Sequence, residues 1–125
     1  MSTPPAERRA LGDSWERLAE DRLVAEGYRI EKRNFQCKLG EIDLVAREGE
    51  VLVFVEVRGR SHAGQVTPEE SVDSRKQRKL WRTAQLYLQM RPGEMPPCRF
   101  DVVAVDGAAG SPPEVRIVRD AFRGV

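Results

Sequence analysis

The residue pattern predicts an α/β sandwich, a mixed central β-sheet flanked by helices, and three observations carry that prediction. Amphipathic helical stripes run over residues 14–26 and 74–90. Between them lie two apolar runs joined by the polar turn Arg47-Glu48-Gly49-Glu50, the mark of a β-hairpin. A further apolar run over 98–105 follows the second helix, so the order is helix, strand, hairpin, helix, strand. The chain has 125 residues, 33% of them charged and 40% hydrophobic, which fits one domain over 1–125 with its own core.

Residues 1–11 hold Pro4-Pro5 among polar neighbours and are expected to form a loosely ordered tail. Asp13 is the expected N-cap of the first helix, with Glu16 three residues on completing a capping box. Leu11, Trp15, Leu18, Ala19 and Leu23 make its apolar stripe, and Gly27 stops it. Residues 28–35 read as a strand, and Cys37-Lys38-Leu39-Gly40 as the turn into the hairpin.

The hairpin GEIDLVAREGEVLVFVEVR spans residues 40–58 and carries three acids inside apolar strands, Glu41, Asp43 and Glu56. A two-residue turn at Glu48-Gly49 would set Asp43 opposite Phe54 and Glu41 opposite Glu56. Asp43 and Glu56 then become diagonal neighbours on one face, with Arg58 following on it. Burying ionised carboxylates demands a counter-charge. Either a hard divalent cation with oxygen ligands, Mg²⁺ or Mn²⁺, supplies it, or Arg47, Arg58 or another basic side chain does, or the acids lie on a solvated sheet face.

Residues 59–70 are polar, with two glycines and a proline, and read as a loop beside that site. Ser71 or Asp73 caps the second helix, and Arg91-Pro92-Gly93 ends it. Leu80, Trp81, Ala84, Tyr87 and Leu88 share one face, while Arg75, Arg78, Lys79 and Arg82 form a basic stripe on the other. The stripe either binds phosphates or is a solvated face. Lys76 flanks it, and Gln77 falls on the apolar side, where a buried amide needs partners. Pro96-Pro97 breaks the chain before 98–105, which reads as an interior strand with Asp101 pairing near its start. A linker over 107–113 leads to a last short strand near 115–118.

Asp43, a hairpin and then Glu56-Val57-Arg58 resemble the D…(D/E)xK signature of the PD-(D/E)xK nuclease superfamily. The longer strings Gly40-Glu41-Ile42-Asp43-Leu44 and Val53-Phe54-Val55-Glu56-Val57, with Asn34, closely resemble the bacterial YraN-like family, related to the archaeal Holliday-junction resolvases. The resemblance implies a restriction-endonuclease-like fold and a Mg²⁺- or Mn²⁺-dependent deoxyribonuclease acting on structured DNA. It implies Asp43, Glu56 and the Val57 carbonyl as metal ligands, Glu16 from the first helix and Gln77 from the second as completing the shell, and Glu41 as a lesser candidate. Arg75, Lys76, Arg78, Lys79 and Arg82 would bind nucleic acid, and a homodimer would match the resolvases. Arg58 stands where the superfamily has Lys. A guanidinium stays protonated, so Arg58 can hold charge or orient water but cannot act as a base; Lys76 on the helix is the alternative lysine. A binding module that keeps the fold with weakened chemistry is the competing reading.

Cys37 and Cys98 are too few for a disulfide framework, and a single histidine, His62, excludes a conventional zinc set. No apolar run matches a bilayer span and the N-terminus lacks a signal-like core, so a cytoplasmic protein without membrane contact is expected. The net charge of +1 makes the placement of charge, not its sum, the guide to partners.

Overall fold

A computed structural model describes residues 5–109 and 112–123. The elements are α1 (Pro5–Ala25), β1 (Arg29–Cys37), β2 (Gly40–Glu48), β3 (Val51–Arg60), α2 (Ser74–Met90), β4 (Cys98–Asp106) and β5 (Glu114–Phe122). They build a five-stranded sheet in the order β1-β2-β3-β4-β5. Only β3 and β4 run parallel, joined through α2; the other neighbours are antiparallel. The mixed sheet with a helix on each face is the predicted α/β sandwich, consistent with a restriction-endonuclease-like core. Among the described residues no helix is long and apolar enough to cross a membrane.

α1 begins at Pro5 and runs unbroken through Gly12 and Asp13, so the expected start at Ser14 and a cap at Asp13 are corrected. Pro5 suits a first helical turn, and Ala6-Glu7-Arg8-Arg9-Ala10-Leu11 are strong helix formers that outweigh one glycine. Of the expected loose tail, residues 1–4 lie outside the described residues and Pro5–Leu11 are helical. β5 is also longer than expected, with a break in register between Phe100 and Val102 where Asp120 adopts a φ of +50°.

Ala19 and Leu23 of α1 pack on Leu44, Ala46, Val53, Val55 and Val103, while Leu80 and Ala84 of α2 pack on Ile42, Val45, Leu52, Phe54, Phe100 and Val102. The α2 side adds an aromatic run, Phe35 on Tyr87 at 5.0 Å, Phe54 on Phe100 at 5.4 Å and Phe100 on Phe122 at 4.7 Å. Covered on both faces, β3 and β4 read as continuous apolar strands. The outer strands differ: β1 carries Arg29, Glu31, Lys32 and Arg33 and a bulge, and β5 carries Glu114, Arg116, Arg119 and Asp120 and a bulge.

Asp101, fully buried on β4, is a structural acid. Its carboxylate accepts from Tyr28 Oη at 2.8 Å, Arg99 Nε at 2.9 Å and the Asp120 N–H at 2.9 Å. The pairing expected near the strand start is therefore present, and the phenol of Tyr28 is pushed up to about 12, mainly by burial.

Near the end of β3, Trp15 of α1 lies flat against Gly59, and a Cβ there would sit 2.3 Å from the ring. Gly59→Ala is therefore expected to push α1 off the sheet, at a cost of about 1–3 kcal/mol. A thermal melt should show a midpoint lower by roughly 4 °C or more; an unchanged midpoint would refute this packing.

Candidate active site

The hairpin register is the first determinant of the site. Val45 pairs with Phe54 and Glu48 with Val51, so the turn residues are Gly49 and Glu50, not Glu48 and Gly49. Gly49 takes the first turn position with a φ of +59°, the place where a Gly-X turn needs glycine. The expected partners, Asp43 with Phe54 and Glu41 with Glu56, are corrected by two residues. Continuing the observed ladder sets Asp43 directly opposite Glu56.

The second determinant is a kink. Ile42 packs in the α2-side core and Leu44 in the α1-side core, although residues two apart in a strand share a face. On the neighbouring strand Arg33 reaches Glu20 of α1 and Phe35 packs on Tyr87 of α2, with Asn34 at a φ of +52° between them. Both strands therefore turn over at the same level. The Asp43 carboxylate points along the sheet toward β3, where Oδ2 accepts the Val57 N–H at 2.8 Å. Main-chain pairing in this ladder reaches Leu44 with Val55, and a side chain takes over beyond it.

Glu56, on the α2 side of β3, is 5% exposed. Its carboxyl is pushed up to about 8, first by burial, then by the Asp43 charge and by a hydrogen bond with Asp43; Lys76 and Arg58 offset part of this. Lys76 Nζ stands 3.3 Å from Glu56 Oε2, and Arg58 Nε stands 3.5 Å from the same oxygen. Arg58 is tethered by Nη2 donating to the Ser71 carbonyl at 3.2 Å, while its buried Nε lacks a well-formed hydrogen bond. Asp43, Glu56, Arg58 and Lys76 thus converge, with Val57 entering through its N–H.

Gln77 is held at the start of α2, and Glu16 borders a cleft on the α1 side. Gln77 spends its amide on the Val72 carbonyl at 3.1 Å, holding the turn that precedes α2. Glu16 lines a cleft with Arg17, Glu20, Arg33, Asn34 and Leu44. Among the described residues no third His, Cys, Asp or Glu joins the acid pair in a cluster fit to hold a metal. Glu41 is exposed and accepts from Gln36 Nε2 at 3.2 Å. It borders a cleft of about 370 Å³ next to the pair, whose other walls include Gly40, Lys76 and Lys79.

Asp73 caps α2 as expected, accepting the Lys76 N–H at 2.9 Å, and this cap fixes the turn that carries Lys76 over the sheet. Gly40 permits the close approach, since a Cβ there would meet Lys79 Cε at 3.0 Å and Thr83 Oγ1 at 3.1 Å. Arg75, Arg78, Lys79 and Arg82 are exposed along α2, as the stripe predicts. Ser71 is the site neighbour that sequence reading missed; a main-chain carbonyl leaves no residue-type signal.

Two carboxylates, one of them protonated more readily than usual first because it is buried and then because a like charge adjoins it, face two cations, Lys76 and Arg58, that an incoming metal ion would displace. Such a pair fits a small divalent cation that takes one or two carboxylates and fills its shell with water and substrate oxygens. The profile of the Uncharacterised protein family UPF0102 matches residues 15–105. A UPF0102 protein of Moorella thermoacetica is 52% identical, the match covering 92% of this chain and 97% of that one. Those of Symbiobacterium thermophilum and Pseudomonas savastanoi are 46% and 42% identical, covering 91% and 95% of this chain and 97% and 98% of theirs.

Proposed function

The chain belongs to the UPF0102 family, the YraN-like proteins, and on that footing we propose that it is a metal-dependent endonuclease hydrolysing phosphodiester bonds in branched or otherwise structured DNA. The observation that carries this reading is the half-buried Asp43 beside the buried Glu56, with a lysine amine 3.3 Å from Glu56. Asp43, Glu56 and the Val57 carbonyl would hold Mg²⁺ or Mn²⁺, with water and substrate oxygens filling the rest of the shell. Bound there, the ion would polarise the scissile phosphate and acidify a water.

The side chains divide the remaining work. Glu56, whose carboxyl is pushed up to about 8, would release its proton to solvent before acting as an anionic ligand. Asp43 keeps its place through the Val57 N–H. Lys76, released from Glu56, takes a proton from the attacking water as a neutral amine, or as an ammonium holds the phosphoryl charge. Arg58 stays charged and steadies that phosphoryl oxygen. Arg75, Arg78, Lys79 and Arg82 hold the DNA backbone alongside.

The test is to incubate the pure chain with four-way junction, flap and linear DNA plus Mn²⁺. Metal-dependent cutting that disappears in the Asp43→Ala, Glu56→Ala double variant supports the reading; cutting that survives it defeats the reading. Lys76→Met should slow cutting by about 10²-fold or more, as loss of a proton-transfer group does. Arg58→Lys should shift it by less than roughly tenfold, because Lys76 already brings an amine to the pair. A reversal of those sensitivities would return the lysine role to position 58. The exposed α2 stripe favours a second reading, a DNA-binding module without turnover. That reading gains if the stripe is needed for binding and no product forms with any metal.

A further inference from the structure

A larger cleft, of about 610 Å³, opens at the other end of the sheet, where β3 and β4 begin. Its walls include Trp81, Phe100, Phe122, Arg99, Arg119 and Arg123. Resting on the DNA reading above, we infer that this cleft holds an unpaired nucleotide of the substrate, so that the preferred DNA is a duplex carrying a flap, gap or branch.

The chemistry of the walls points to a base and its phosphate. Trp81 meets Phe100 edge-on at 5.7 Å, and Phe122 stacks on Phe100 at 4.7 Å. Trp81 and Phe122 are only partly buried, so a planar ring can be added to this aromatic run. Stacking on such a surface accepts any base, and only a base freed from its own helix has an open face to offer. Three guanidiniums line the same cleft as the rings. Arg99 is spent on Asp101 and Glu48. Arg119 is 44% exposed and pairs with Glu48, and Arg123 is 86% exposed with Asp120 as its partner at 3.2 Å. Both keep part of the guanidinium in solvent at the cleft, and a phosphate would compete there with Glu48 and with Asp120, which also lines it.

Position supports the same occupant. Trp81 lies about 60° around α2 from Arg78, on the flank of the basic stripe opposite Lys76. A backbone that follows the stripe therefore has the acid pair on one side and the aromatic cleft on the other. Val51, in the cleft wall, precedes Glu56 by five residues on β3. At about 3.3 Å per strand residue this is roughly 17 Å, on the order of five nucleotide steps of a duplex. The unpaired nucleotide thus falls within about five steps of the phosphate that is cut.

The decisive measurement is fluorescence anisotropy of the full chain in EDTA, with a labelled blunt duplex and with the same duplex bearing a five-nucleotide oligo-dT flap. The flapped duplex should bind about tenfold more tightly, the scale of one stacked base. Trp81→Leu should remove that preference while leaving blunt-duplex affinity within about twofold. Arg123→Glu, far out in solvent and so safe for the fold, should shrink the preference as well. Equal affinity for the two DNAs, or a preference that persists in both variants, overturns the inference. If both DNAs bind equally and metal-dependent cleavage holds, only the cleft assignment falls. If no DNA binds and none is cut, the nuclease reading falls with it.

Discussion

Glu56→Gln should lower metal-dependent cleavage roughly 10³-fold while making the metal-free protein more stable at pH 8. A bound cation contributes several kcal/mol of charge stabilisation, and each 1.36 kcal/mol is a factor of ten. Gln keeps the shape of Glu but offers one neutral oxygen in place of an anionic carboxylate. The stability change has the opposite sign for a stated reason. Lys76 and Arg58 favour the ionised carboxylate, yet burial and Asp43 outweigh them, so the charged form is a net burden on the fold. Gln removes that burden. Asp43→Asn should lose cleavage to a similar degree, and it is a cleaner variant than Ala because the amide oxygen still accepts the Val57 N–H. Alanine would leave that N–H unpaired at a cost of about 1–3 kcal/mol. Single-turnover cleavage and thermal melts measured on the same preparations decide the matter. A Gln variant that cuts like the parent, or melts lower at pH 8, would contradict these roles.

The metal-free protein should lose stability steadily as pH rises from about 5 to about 8. Glu56 has its folded-state pKa raised from 4.5 to about 8, so the native chain holds a proton that the unfolded chain releases earlier. Its contribution is complete below pH 4.5 and is lost as pH climbs through 8. The loss amounts to a few kcal/mol at most, since holding one proton across one pH unit is worth about 1.4 kcal/mol. On the acid side the sign reverses. Glu31, Glu48 and Glu69 are held below the usual carboxylate range, first by hydrogen bonds from Arg91, Arg99 and Arg116, and their contributions fade as pH falls under 4.5. A maximum near pH 5 follows. Adding Mn²⁺ should flatten the decline, because an ion in the site replaces the proton, and Glu56→Gln should abolish it. Melting midpoints at half-unit intervals from pH 4 to 9, with and without Mn²⁺, provide the check; a midpoint that rises from pH 5 to 8 in the metal-free parent would be incompatible.

The layered fold was readable because its signals are long and periodic. Leu80, Ala84 and Tyr87 could only be one face of a helix, and the Pro96-Pro97 break isolates β4 cleanly. The acids were found because charges inside apolar strands are anomalous. Their geometry was less legible. Placing Gly49 second in the turn gave a register wrong by two, and an error of two leaves each residue on the same face, so the convergence survived it. The overturn at Asn34 and Asp43 was invisible to strict alternation, since nothing in the string announces a positive φ at an asparagine inside a strand. Gln77 drew attention as a polar residue on an apolar face, but a local carbonyl satisfies it. The run through Gly12 shows the reverse case, where one weak breaker is overruled by good neighbours.

The charged, bulged outer strands have a consequence for assembly. Each border of the sheet offers an irregular rung pattern ringed by salt, which a like strand cannot zip onto without stranding its own amides. Two copies of this chain meeting on one DNA would keep their sheets as separate blades. Their orientation would then be dictated by helix surfaces and by the nucleic acid between them, not by a continuous ladder.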